Sequence, residues 1–205
     1  MNNKEQLTKL FDSQIGTLKD RGTPEQILKM FQSRRDLVLW KAVGMTFLEG
    51  ATPFIPVIPL GYRGLYDLTT MIQKPNKAGD LFVKIDPGEI HDIESVPRQP
   101  YYIYNVTVVA STGREETPTS VLELFAFRGR SPLTIAEVIA TATHTAILSR
   151  WNRMLISGSC VGWIVAATPM ITYSGMTPLL TACLFKGNAP MSGDYWGLSS
   201  CDSRG

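Results

Sequence analysis

Between Arg153 and Lys186 no residue carries a charge, in a chain where 19% of residues do. The 32 residues from Met154 to Phe185 must therefore be hidden from water or lie in a bilayer. About 20 apolar residues cross a bilayer, so length alone permits a span. Content opposes it. Pro169 and Pro178 interrupt the stretch, as do Gly158, Gly162 and Gly175, and Ser157, Ser159, Thr168 and Thr172 add hydroxyls. Breakers at this spacing suit short strands joined by turns. We expect buried strands near residues 154–159, 161–167, 170–173 and 179–185, and no membrane segment.

The charge is concentrated at the other end. The first 42 residues hold eight Lys/Arg and five Asp/Glu. Residues 4–21 read as an amphipathic helix, with Leu7, Leu10, Phe11, Ile15 and Leu18 on one face. Gly22 stops it. Thr23 as N-cap, Pro24 in the first turn and Gln26 in a capping-box position then open a second helix running to about Val43. The pair predicts a helical hairpin over 1–43, packed on a single domain formed by 44–205. A dimerisation arm is the alternative use of such a hairpin. The net charge of +2 is too small a bias to argue for nucleic acid. The polar N-terminal segment has no apolar signal region, and Cys160, Cys183 and Cys201 are an odd, scattered set. Reduced thiols and a cytoplasmic location are the expectation.

In the middle of the chain, Pro53, Pro56 and Pro59 exclude a central strand over 52–61, because proline cannot donate to a ladder. An extended edge segment fits. Residues 64–73 predict a short helix, 80–86 a strand, and the segment around His91 a polar loop. Residues 101–110, YYIYNVTVVA, are the clearest strand in the chain. Residues 114–120 read as a polar loop. Ser131 as cap and Pro132 at the first position predict a helix over 131–149, with Ile135, Ile139, Ala142 and Ala146 as its apolar stripe. The tail from Lys186 onward looks loop-rich. The sum is an α+β fold: a mostly antiparallel sheet with packed helices and an N-terminal helical hairpin.

The segment from Arg128 to Glu137 (RGRSPLTIAE), the Thr143-His144 step and the ending Trp196 to Arg204 resemble, in this order, a bacterial protein family of unknown function. Its marks are an RGRSPLT helix opening, a Thr-His step near the helix end, a glycine-containing strand region and a small-residue close. The resemblance covers the chain from about Arg128 onward and implies a single domain of bacterial cytosolic type. It brings no activity, cofactor or catalytic residue. The chain departs from the family pattern after Thr145, where Ala146 replaces a proline.

Three constellations are candidates for function. Arg128 and Arg130 precede a helix opening at Ser131, where free amides and a partial positive charge favour an anion; ordinary capping and solvated arginines explain the same residues. Glu137, Thr141 and His144 share one helix face, and His and Glu are the usual proton-transfer groups. Seven residues of helix rise by about 10 Å, so Glu137 and His144 cannot touch. The tail brings Asp194, Tyr195, Trp196, Ser200 and Cys201, aromatic and small polar residues of the kind that line a pocket. P-loop, G-x-S-x-G, G-x-G-x-x-G, HExxH and CxxC signatures are absent. No cofactor and no metal site is expected. The expected function is a non-enzymatic protein holding a small anionic ligand or a protein partner between the 131–149 helix and the 187–204 tail. The alternatives are an enzyme of hydrolase or transferase type, using His144 with Cys201 or Ser200, and a structural homodimer built through the hairpin.

Overall fold

The N-terminal pattern becomes three helices, not two. In a computed structural model, which describes residues 4–74, 77–81, 86–111, 117–150, 153–162, 167–174, 177–184 and 196–205, α1 spans Lys4–Asp20 and buries Leu7, Phe11 and Leu18. It ends in a Schellman turn: the Thr23 amide reaches Leu18 O, the Gly22 amide reaches Lys19 O, and Gly22 takes a φ of 69° that favours glycine. Thr23 is therefore spent on closing α1, and the N-cap of α2 (Glu25–Gln32) is Pro24, without a side-chain cap. The expected single second helix breaks at Ser33-Arg34, and α3 runs Arg35–Gly44. The break lets Ile27, Leu28 and Phe31 on one segment and Val38, Leu39 and Ala42 on the next both reach the core.

β1 (Thr52–Val57) is the edge strand its prolines demand, and α4 (Leu65–Thr69) is the short helix expected. β2 (Gln73–Lys74) and β3 (Lys77–Ala78) form a small separate ladder, and β4 (Asp80–Leu81) follows. The His91 segment is not a loop. It forms β5 (Ile90–Asp92), because its partner is supplied from the charge-free stretch, a pairing no local pattern reveals. β6 (Tyr101–Ala110) matches expectation. The loop expected over 114–120 gives way at Thr117, which caps α5 (Pro118–Phe127) by a reciprocal bond pair with Ser120.

The expected helix over 131–149 is also divided. Ser131 and Pro132 form β7, and Thr134 is the N-cap of α6 (Ile135–His144). Extended Thr145 separates α6 from α7 (Ile147–Arg150), and its hydroxyl accepts from the Ile147 amide. The charge-free stretch contributes β8 (Arg153–Leu155), β9 (Ser159–Val161), β10 (Ala167–Ser174) and β11 (Thr177–Leu184); the last two correspond to the strands expected over 170–173 and 179–185, β8 is shorter than the one expected over 154–159, and most of the one expected over 161–167 lies outside the described residues. The tail supplies β12 (Gly197–Cys201) and β13 (Ser203–Arg204).

The main sheet has the order β1-β6-β12-β8-β10-β11-β4, with β13 also on β6 and β7 also on β12. The sheet is mixed: β12 runs parallel to β8, and β4 parallel to β11. From Gly197 on, the tail is thus no loop draped beside the core; β12 lies inside the sheet, between β6 and β8, while residues 186–195 of the expected loop lie outside the described residues. All of Tyr101 to Val106 is buried, because both faces of β6 are covered. Tyr102 packs among Phe11, Phe31 and Phe54, while the Tyr101 hydroxyl reaches Glu137 on α6. One apolar cluster runs from Leu7 on α1 to Cys201 on β12. Among the described residues, no helix is long and apolar enough to cross a membrane.

Candidate functional site

Two polar networks fasten the tail to the N-terminal end of α6. In the first, Arg130 directs its Nε to Ser200 Oγ (2.8 Å), one Nη to the carbonyls of Asn105 (2.6 Å) and Ser200 (3.0 Å), and the other Nη to Asp202. Four of its five donors are thus used within the protein. Asp202 is held in turn by the Asn105 amide, and Asn105 accepts from the Leu48 amide (3.0 Å). Asn105 has a φ of 52°, a left-handed conformation that asparagine tolerates better than most residues.

In the second network, Glu137 is fully buried. One carboxylate oxygen accepts from Tyr101 Oη (2.9 Å) and Arg204 Nε (2.6 Å); the other accepts from the Thr134 amide (2.8 Å) and Arg204 Nη2 (2.9 Å). Burial alone would lower the Arg204 pKa; the hydrogen bond and charge of Glu137 more than offset it. Burial, then the charge of Glu137, raises the Tyr101 pKa. Beside this pair, Asp92 accepts from Ser159 Oγ (2.6 Å), which itself accepts from the Ile135 amide at the start of α6 (2.9 Å). Burial raises the Asp92 carboxyl above its ordinary range.

The second site lies on another face of α6. Around His144 a narrow cleft with about 10 Å³ of open space, room for about one water molecule, is walled by Leu18, Ile58, Leu68, Met71, Ile139 and Ala140, among others. The His144 ring as a whole is only half-buried, yet both of its nitrogens are sealed from solvent and neither has a hydrogen-bond partner among the described residues. Burial first, and the positive charge of Arg21 second, push its pKa down to about 3, so the imidazole is neutral at physiological pH. A neutral imidazole has one donor and one acceptor to offer.

The sequence candidates separate accordingly. Arg130, Ser131, Glu137, Ser200 and Cys201 do come together, at the start of α6, but in packed, mutually bonded surroundings. Arg128 is exposed and its amide closes the end of α5. Thr141 is buried and donates to Glu137 O (2.8 Å). Trp196 packs with Val121, Phe125, Leu155 and Leu198. Asp194 and Tyr195 lie outside the described residues. His144 stands at the far end of α6 from Cys201, which pairs with Ser131. Burial, and then Glu137, push the Cys201 thiol up to about 12, so it is no thiolate at neutral pH. Ser200 Oγ is bonded to Arg130 and lies 3.3 Å from Thr107 Oγ1.

Sequence reasoning missed Asn105, Asp202 and Arg204 as partners, and Asp92 and Ser159. Only Glu137 carried a local signal: Thr134-x-x-Glu137 is a capping-box spacing. Among the described residues no three His, Cys, Asp or Glu side chains gather as metal ligands. Comparison with protein-family models, curated proteins and solved structures finds no match to this chain.

Proposed function

We propose that this chain is a non-enzymatic small-ligand-binding protein, and that its ligand seats by widening the narrow cleft beside His144. The observation that carries the reading is the pair of sealed imidazole nitrogens without partners at an apolar cleft wall. Buried polar groups without partners are rare in folded proteins, and they recur where a ligand completes the set. The polar networks at the start of α6 argue the other way for that region, since their donors and acceptors already satisfy one another. The seat therefore lies on the α1 and α4 side of α6, away from the tail.

The test is a fragment screen read on the His144 ring by side-chain NMR. Binders are expected to shift the His144 ring nitrogens in the wild type and to lose affinity in Ala140→Leu, which fills the cleft. Binders that ignore the Ala140→Leu change, or a screen in which the His144 resonances never move, would refute the seat.

A second reading, a homodimer through the N-terminal helices, draws support from α3. Leu37 is 60% exposed and Trp40 76%, three residues apart on one helix face, with Val43 beyond them. Light scattering decides it: a dimeric mass that Trp40→Glu converts to monomer supports this reading, and a monomeric wild type removes it. The enzymatic reading has the least support, because His144 and Cys201 sit at opposite ends of α6 and the thiol is held protonated.

A further inference from the structure

A groove between α1 and α3 has about 690 Å³ of open space. On α3 it is lined by two neighbouring rows at four-residue spacing: Arg35, Leu39 and Val43 in one, Asp36, Trp40 and Gly44 in the other. Lys4 and Thr8, also four apart, line it from α1. A channel between such rows is the shape that receives a ridge of side chains from another helix. Its apolar part is uncovered: Trp40 and Val43 are exposed, as is Leu37 on the same helix. Three cations, Lys4, Arg35 and Lys41, line the groove against one anion, Asp36. Among the described residues Lys4 and Lys41 form no ion pair, and Arg35 meets Asp12 at 3.4 Å in an exposed setting. Lys41 is held in place, its Nζ 4.0 Å from the centre of the Tyr104 ring.

We infer that this groove is the docking site for an acidic amphipathic helix of a partner protein, its apolar side on Leu39, Trp40 and Val43 and its carboxylates on Lys4, Arg35 and Lys41. Charge selects the occupant. A second copy docked through this face would set the three cations against their own kind, and like charges across an interface are unfavourable. A bilayer takes up an apolar face that protrudes into it, and would leave the groove beside Trp40 unfilled. A helix laid between two helices fills the channel, and an exposed tryptophan is among the side chains that most often anchor such contacts. The site takes the α3 face that would otherwise serve a homodimer, and it is independent of the cleft beside His144.

The probe is a synthetic helix of about 18 residues, long enough to hold its fold, with leucines at helical spacing and glutamates flanking them. Its control carries lysine at every glutamate position. Binding to the intact chain is read by calorimetry and by the indole N–H resonance of Trp40. The glutamate helix is expected to bind and to shift Trp40, and the lysine helix to bind at least roughly tenfold more weakly, with the gap shrinking as salt is added. Trp40→Ala is expected to weaken the glutamate helix by about tenfold. Arg35→Gln/Lys41→Gln is expected to weaken it by roughly threefold to tenfold and to leave the lysine helix no weaker. Equal affinity for the two helices in the wild type overturns the inference, and this arm needs no variant to fold. No binding of the glutamate helix at millimolar concentration, or binding that leaves Trp40 unmoved, overturns it as well. A dimeric wild type that Trp40→Glu makes monomeric assigns the face to a second copy instead. Phosphatidylglycerol vesicles that carry the wild type, but not Trp40→Glu, in flotation assign it to a membrane surface. Either result overturns the helix as occupant.

Discussion

Removing Glu137 would strand a guanidinium. Arg204 is held by three bonds, two of them to Glu137, in surroundings that exclude water from the carboxylate entirely. Breaking one partner of a buried pair costs about 3–5 kcal/mol, while replacing both by apolar groups is often near neutral. Glu137→Ala and Arg204→Ala are each expected to lose stability in that range in urea titration, and Glu137→Leu/Arg204→Met is expected to lose less than either. His144 gives a second residue-scale prediction. Its pKa falls from 6.5 to about 3 on folding, so between those values the unfolded chain binds a proton that the folded chain does not. Stability is lost as pH falls through this window, at no more than about 1.4 kcal/mol per pH unit, and the contribution is constant above it. Wild type should lose stability relative to His144→Phe between pH 6.5 and 5, and parallel profiles would contradict this. Cys201 yields a third: in the folded protein at pH 7 its peptide should stay unalkylated by iodoacetamide, and become modified only on denaturation.

At the scale of elements, Gly158 shows why the boundaries around α6 are where they are. A Cβ there would lie 2.6 Å from Leu133 C and O and 2.8 Å from Pro132 O, all backbone atoms that cannot swing away. The segment between β8 and β9 passes directly against the approach to α6, and the Gly158 amide bonds Leu133 O. Gly158→Ala is expected to cost about 1–3 kcal/mol in thermal or urea unfolding. Elements with a strong local pattern were legible in the sequence: α1 from its stripe, β6 from its aromatic and β-branched run, β1 as an edge from its prolines. Elements set by a distant partner were not. Ser131 and Pro132 have the chemistry of a helix start, but β12 recruits them as a strand. His91 sits in a polar run, but β9 pairs with it. Thr23 looks like a cap for α2, but the Schellman turn of α1 claims its amide.

The whole molecule is organised by one non-local event, the insertion of the tail into the sheet. β12 separates β6 from β8, and the carboxylate and guanidinium of Asp202 and Arg204 reach back to Arg130 and Glu137. A chain truncated after Trp196 should lose cooperative unfolding altogether, since it would lose β12, β13 and both networks. The run of helix and strand patterns pointed to an α+β fold, but the small glycine and serine residues of the tail suggested a loop because they lack strand-forming bulk. The candidate site was legible to a similar extent. His144 stood out by type, but Leu18, Leu68 and Met71, which wall the cleft beside it, lie far from it in sequence, and only the packing of α1 and α4 against α6 gathers them. The most direct measurement is a crystal structure of the chain. It is expected to show β12 between β6 and β8, with Arg130 on Asp202 and Arg204 on Glu137. A tail lying outside the sheet, with β6 paired directly to β8, would contradict this organisation.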